Sequence, residues 1–319
     1  MIYVYIAFLL FLLELAYFQV ARKLNIVDKP NGRSSHKTIT LRGGGIIFYL
    51  GALVYILFFG LNDPWFRVGL TLIAGISLVD DVHPVSRRVR LLFHFAAMAM
   101  LFAQWELFGS FPWWYMPVAL VFCTGIINAY NFMDGINGIT GGYSLVVMGM
   151  LAYVNHFVQP FMDADFLYVS IISVLVFNFF NFRTRARCFA GDVGSVSMAF
   201  MVLYALGTLI LKTGDLSYIV FLAVYGVDSI LTIIHRLLLH ENIFAPHRKH
   251  AYQLMANELK MPHVMVSTFY AVLQLAISSL FLNLTEYRWF YVVAVLLSLS
   301  IVYLLFMRRY FHLHSYKNG

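Results

Sequence analysis

An all-α, polytopic membrane protein is the fold this sequence predicts, on three observations. Of its 319 residues, 61% are hydrophobic and 17% aromatic against only 12% charged, with a mean hydropathy of +0.78; a water-soluble globule needs more polar surface than that. Apolar runs of near-helical length recur along the whole chain, and a hydrocarbon core of about 30 Å takes roughly 20 apolar residues per helix. The basic residues, finally, fall almost entirely into every second connecting segment.

Eleven runs are read as helices, at residues 2–20, 45–60, 65–79, 89–108, 113–127, 139–157, 166–182, 194–211, 216–234, 263–283 and 287–307. The first lacks a basic leader and a small-residue cleavage site before the polar segment 22–42, so a retained helix is expected rather than a removed signal peptide. The second opens on the triple glycine Gly43-Gly44-Gly45, and the third runs through Leu, Ile and Val into Asp80-Asp81, with Pro84 to stop it. Arg87 and Arg88 precede the fourth. The fifth and sixth flank the polar stretch 128–138, the seventh leads to Arg183, Arg185 and Arg187, and the eighth starts just after Gly191-Asp192, where an aspartate suits a helix N-terminus. The ninth runs up to His235; the last two follow the long polar segment 235–262. No repeat, low-complexity stretch or soluble domain interrupts this pattern, so one transmembrane domain over residues 1–319 is expected. Cys123 and Cys188 are too few for a disulfide framework and are expected as free thiols.

With the N-terminus outside, 19 of the 22 Lys and Arg residues lie in inside segments, leaving Arg67, Lys212 and Arg288. The positive-inside rule selects this orientation and puts every polar cluster on the cytoplasmic face. The net charge of +7 then reads as an inner face meeting anionic headgroups and an anionic substrate; nucleic acid is not required.

Five segments carry the chemistry. Ionised Asp80 and Asp81 at the end of an apolar run are costly unless they meet water or a cation, and adjacent helical positions point about 100° apart, so both face one site only where the helix ends. They suggest a divalent-metal site; neutralisation of Arg87 and Arg88 is the alternative. Segment 27–37, with Arg42 and the triple glycine, suits a phosphate at a helix N-terminus, or is a solvated loop with a glycine hinge. In 128–139, glycines permit a break that lets Asn131, Asp134 and Asn137 converge as a ligand shell, or the stretch is a capped interhelical turn. Asp192 with Arg183, Arg185 and Arg187 suits a diphosphate. His247, Arg248 and His250 are expected to contact phosphate or sugar, because the carboxylates elsewhere favour Mg²⁺ or Mn²⁺ over a histidine-bound transition metal. His94, His156, His312 and His314 are taken as packing or interfacial residues.

Together these segments resemble the polyprenyl-phosphate N-acetylhexosamine-1-phosphate transferases of glycosyltransferase family 4. The resemblance rests on Arg33-Ser34-Ser35-His36 with Arg42-Gly43-Gly44-Gly45, on Asp80-Asp81, on Asn128-x-x-Asn131-x-x-Asp134-Gly135-x-Asn137-Gly138, on Phe189-x-Gly191-Asp192-Val193-Gly194-Ser195, and on Pro246-His247-Arg248-x-His250. It implies transfer of a sugar 1-phosphate from a UDP-N-acetylaminosugar to polyprenyl (undecaprenyl) phosphate, with Mg²⁺ (or Mn²⁺) required, at the bacterial inner membrane with a cytoplasmic active site. By position it implies catalytic roles for Asp80, Asp81, Asp134 and Asp192, metal contacts from Asp192, Asp80 and Asp81, and substrate contacts from His36, Arg42, Asn128, Asn131, Asn137, Asn181, Arg187, His247, Arg248 and His250. The spacing to Asn181 is one residue longer than the family's. The looser His247-Arg248-Lys249-His250, and Asn137 where the peptidoglycan enzymes tend to carry Asp, favour the O-antigen and capsule branch over the phospho-N-acetylmuramoyl-pentapeptide transferases. An ion-coupled transporter is the alternative of another class. Oligomeric state is left open, a homodimer included.

Overall fold

The computed structural model describes residues 1–30, 35, 38–60, 63–242, 247–284 and 286–314. Each of the eleven apolar runs is a helix. In chain order they are α1 (Ile2–Lys23), α2 (Ile46–Phe59), α3 (Pro64–Val82), α4 (Arg87–Gln104), a single turn α5 (Leu107–Ser110), α6 (Tyr115–Met133), α7 (Ile139–Tyr153), α8 (Ala164–Asn181), α9 (Gly191–Thr213), α10 (Ala223–Leu238), a turn α11 (Ala251–Gln253), α12 (His263–Leu282) and α13 (Arg288–Tyr310). Among the described residues, seven helices are long and apolar enough to cross a membrane: α1, α6, α8, α9, α10 with its preceding turn, α12 and α13. The expected all-α polytopic fold is what the chain adopts.

Small residues decide which helix sits at the centre. In lipid, helices are held by close packing rather than by expulsion of water, so glycine, alanine and serine mark contact surfaces. α9 carries Gly191, Gly194, Ser195, Ser197 and Ala199 along its first turns and is 83% buried; α13, with few such residues, is 17% buried. α9 packs against α2, α3 and α6, while α3 pairs with α4, α2 with α8, and α7 with α8 and α12. At the α2–α9 crossing a Cβ on Gly45 would overlap the Cα of Gly194.

The triple glycine therefore does other work than the phosphate cradle considered from sequence. The Gly44 and Gly45 N–H groups donate to the Phe189 and Ala190 carbonyls at 2.8 and 3.0 Å, which consumes them. Beside this contact Val27–Asp28 pairs antiparallel with Thr40–Leu41, and Leu41 bridges to Cys188. Two-residue strands have no period to detect, so hydropathy could not announce this ribbon.

Two of the runs are not single continuous α-helices. The stretch 89–108 breaks at Glu106, which takes a left-handed conformation (φ 55°) after Trp105 turns inward to donate from its indole N–H to Thr208 at 3.1 Å. The stretch 216–234 begins as a 3₁₀ turn, Leu216–Leu222, before α10 proper.

The helices alternate in direction, and each end of the bundle is closed differently. At one end, side chains tie helix to helix: the Tyr55 hydroxyl donates to Asp163 at 2.6 Å, Gln104 to Asp63 at 3.0 Å, and Arg288 to Asp215 at 2.7 Å. Two of the three basic residues expected there, Arg67 and Arg288, are thus held by local acceptors. The C-terminal ends of α3, α6 and α8 and the N-terminal ends of α2, α4 and α9 meet at the other end, which holds the clusters singled out above.

Candidate active site

Asp81 lies at the bottom of this end, its side chain fully buried. One oxygen accepts the Asp192 N–H at 3.0 Å and the Arg42 guanidinium at 2.7 Å, and the other accepts the Val193 N–H at 2.9 Å. A carboxylate from α3 thereby caps the N-terminus of α9, satisfying orphan donors that the helix dipole makes positive. Gly191 must turn left-handed there (φ 71°), and a Cβ on it would strike the Asp81 carboxylate. Asp81, expected from the sequence as a metal ligand or base, has its two oxygens engaged by three donors in this structure.

Asp80 points the other way, as neighbours 100° apart must. It accepts the Val85 N–H at 2.7 Å, closing the turn after α3, and pairs with Arg90 at 3.0 Å. Asp192 pairs with Arg42 at 3.3 Å and Arg90 at 3.4 Å, so Asp80 and Asp192 share the Arg90 guanidinium. Two carboxyl groups brought to one place need a shared proton or cation. With Arg42 and Arg90 36% and 37% exposed, the cluster opens to the end of the bundle rather than being sealed inside it. Arg90 was not singled out from sequence; its place one turn into α4, beyond the N-cap Ser86, was the available signal.

The polar stretch after α6 breaks as expected, at 134–138, but its three polar groups diverge. Asn131 accepts from the Ser195 hydroxyl at 3.0 Å, beside the cluster. Asp134 accepts from Thr140 at 2.6 Å. Asn137 is buried and staples the loop, donating to the Arg183 and Thr184 carbonyls at 3.0 and 3.2 Å while its own carbonyl accepts from Ser267. Asn181 works alike, accepting the Gly138 N–H at 2.7 Å and donating to Cys188 at 2.8 Å. Both asparagines, expected as substrate contacts, are thus structural staples. Asn128 and Arg187 are exposed and take no part in the cluster's pairings. Cys123 and Cys188 are free and buried.

Burial pushes the Asp134 carboxyl up to about 6, with Thr140 holding it back and the charge of Asp81 adding to the rise. A carboxyl raised by folding stabilises the fold when protonated, and that contribution is lost as pH rises through about 6. Asp134→Asn is therefore expected to raise the melting temperature by several degrees at pH 7.5. The gain should shrink below pH 6, and turnover should be lost, a trade common at functional positions. Melting curves at the two pH values check it.

In the 247–253 segment, burial, reinforced by His250 and Arg236, pushes His247 down to about 3, so it meets any ligand as a neutral imidazole rather than a cation. Arg248 pairs with Glu258 at 3.3 Å. His250 is buried against Asp228 at 3.3 Å. His36 and Pro246, with Arg33 and Ser34, lie outside the described residues. Among the described residues no three His, Cys, Asp or Glu side chains form a ready-made metal cage. The donor set that remains, Asp80 and Asp192 about the shared Arg90, fits a cation that takes one or two carboxylates and completes its shell with water and substrate phosphates, the habit of Mg²⁺.

Residues 65–211, which span α3 through α9 and hence all three aspartates of the cluster, match the family model Glycosyl transferase family 4. Over 258 residues the chain is 26% identical to a probable undecaprenyl-phosphate N-acetylglucosaminyl 1-phosphate transferase of Bacillus subtilis, covering 75% of this chain and 72% of that protein. The undecaprenyl-phosphate alpha-N-acetylglucosaminyl 1-phosphate transferase of Yersinia pestis is 28% identical over 276 residues (77% and 74%), and that of Escherichia coli K12 26% over 265 (74% and 71%). The cluster of Asp80, Asp81 and Asp192 thus falls inside the matched region, and the family model and the curated relatives support the similarity to glycosyl transferase family 4 that the motifs imply.

Proposed function

We propose that the protein transfers N-acetylhexosamine 1-phosphate from a UDP-linked donor to undecaprenyl phosphate, giving the undecaprenyl diphosphate-sugar and UMP. The observation that carries this reading is that Asp80 and Asp192 share Arg90, with Arg42 also on Asp192, at one open end of an apolar bundle. A lipid phosphate and a soluble nucleotide can meet only at such an interface. The basic asymmetry supports a cytoplasmic placement of that end, in a bacterial inner membrane.

Phosphoryl transfer asks the protein for positioning and charge rather than covalent help. A lipid phosphate oxygen attacks the β-phosphorus of the donor; the new P–O bond forms as the bond between the β-phosphorus and the bridging oxygen breaks, and UMP leaves with that oxygen on its phosphate. Arg42 and Arg90 hold the charge of the diphosphate, displaced from their aspartate partners toward the incoming phosphates. Mg²⁺ bound by Asp80 and Asp192 would neutralise diphosphate charge. The attacking phosphate is an anion at neutral pH, so no side chain has to remove a proton. Asp81 keeps Asp192 and Arg42 in place from below, and Asn131 with Ser195 lines the wall beside them.

Breaking one phosphoric anhydride while making another is nearly isoenergetic, so the reaction runs in both directions. Purified protein in undecaprenyl-phosphate liposomes is expected to exchange labelled UMP into UDP-N-acetylglucosamine when the lipid product is present. Absence of both exchange and forward transfer, across several UDP-N-acetylaminosugars with Mg²⁺ or Mn²⁺, would overturn the reading.

A further inference from the structure

Asp228 projects from α10 into a pocket where it meets five donors. The Ala251 and Tyr252 N–H groups lie at 3.0 and 3.4 Å, the Tyr270 hydroxyl at 2.7 Å, the Thr232 hydroxyl at 3.2 Å and His250 Nδ1 at 3.3 Å. It caps the turn that starts at Ala251 much as Asp81 caps α9. A carboxylate surrounded by backbone N–H groups can only accept, so the proton of the His250–Asp228 contact sits on Nδ1, and Nε2 is the ring nitrogen left to meet a ligand.

That other nitrogen, Nε2, is the unusual atom. His250 is 1% exposed, and Nε2 is buried with no hydrogen-bond partner among the described residues. A buried polar atom left unpaired is costly, and the cost is recovered when a ligand supplies the partner. The ring lies 6.2 Å from Phe132 and 5.0 Å from His247. The Phe132 carbonyl accepts from the Tyr252 hydroxyl at 2.8 Å, and two residues on stands Asp134. The imidazole is therefore packed against the loop that borders the carboxylate cluster.

We propose that Asp228 is the positioning residue for His250: it fixes the imidazole's orientation and tautomer so that Nε2 is presented to the nucleotide-sugar bound beside the 132–135 loop. The proposal rests on the transferase reading for the identity of the ligand, not for the dyad itself. Asp228 makes no contact with substrate; it acts through His250, as an outer carboxylate does for a ligating histidine.

Two readouts separate positioning from mere capping. In a double-mutant cycle on kcat/KM, Asp228→Asn is expected to cost about 10–100-fold with His250 present and less than about 2-fold in the His250→Ala background. A purely structural Asp228 would cost the same in both. If Asp228→Asn does not fold, Tyr270→Phe, which loosens the same carboxylate and leaves both N–H caps, takes its place with a smaller but equally background-dependent loss. Independently of turnover, ¹⁵N spectra of histidine-labelled protein in liposomes, with His250 assigned by its loss in His250→Ala, should show a protonated Nδ1 that becomes mixed in Asp228→Asn. An additive cycle, or a His250 protonated on Nε2 in the wild type, overturns the proposal. Wild-type protein with the expected tautomer and no turnover would instead count against the transferase reading.

Discussion

Asp192→Asn is expected to reduce sugar-1-phosphate transfer on the order of 10³-fold while leaving the protein folded. The side chain pairs with Arg42 and Arg90, and neither contact joins two elements that lack other ties. The α9 N-terminus is held through the backbone N–H of residue 192, which Asn keeps. What Asn removes is one charge of the two-carboxylate set, which would weaken its hold on a divalent cation. Initial rates measured with monodisperse detergent-purified variant, alongside its melting temperature, separate the two effects. Wild-type rates for this variant would take Asp192 out of the reacting site.

Asp81→Ala is expected to fail differently, by destabilising the fold by about 3 kcal/mol. The alanine orphans two N–H groups at the start of the most buried helix and strips the Arg42 guanidinium of its shortest ion pair. Asp81→Asn keeps part of the cap and should lie between. The melting temperature should drop by several degrees, and activity should be lost with the folded fraction and with the displaced Arg42. A variant as stable as wild type would contradict the capping role, and would return Asp81 to the ligand set.

The contrast between these two neighbours shows where the sequence stops being legible. All eleven helices could be read, because an apolar run of helical length followed by glycine, proline or charge is a local signal. So could the fact that something polar happens at 80–81, 131–137, 191–192 and 247–250. The division of labour could not. Asp80 and Asp81 differ only in which neighbour each faces, and that depends on α9 packing against α3, a contact more than 100 residues away in sequence. Asn137 and Asn181 look like ligands for the same reason: a buried amide reads alike whether it holds a substrate or a loop. The triple glycine carried two physical explanations, close helix contact and phosphate approach, and only the partner across the crossing, Gly194, chooses between them. Arg90 was missed because a basic residue at a membrane interface is ordinarily a matter of topology, and its pairing with Asp80 and Asp192 requires knowing how α4 folds back on α3. The His250–Asp228 pair spans a long polar segment whose path hydropathy does not describe.

The most direct measurement of the central claim follows two labels from one donor. UDP-N-acetylglucosamine carrying ³²P at the β-phosphorus and ¹⁴C in the sugar is incubated with undecaprenyl-phosphate liposomes, the protein and Mg²⁺. The expected result is both labels entering the lipid in a 1:1 ratio, with unlabelled UMP released in equal amount and all of it lost in Asp192→Asn. Transfer of ¹⁴C alone, leaving ³²P in UDP, would show attack at the sugar carbon instead of phosphorus. That result, or the absence of lipid labelling from every UDP-N-acetylaminosugar tried, would contradict a sugar-1-phosphate transferase site at the charged end of the bundle.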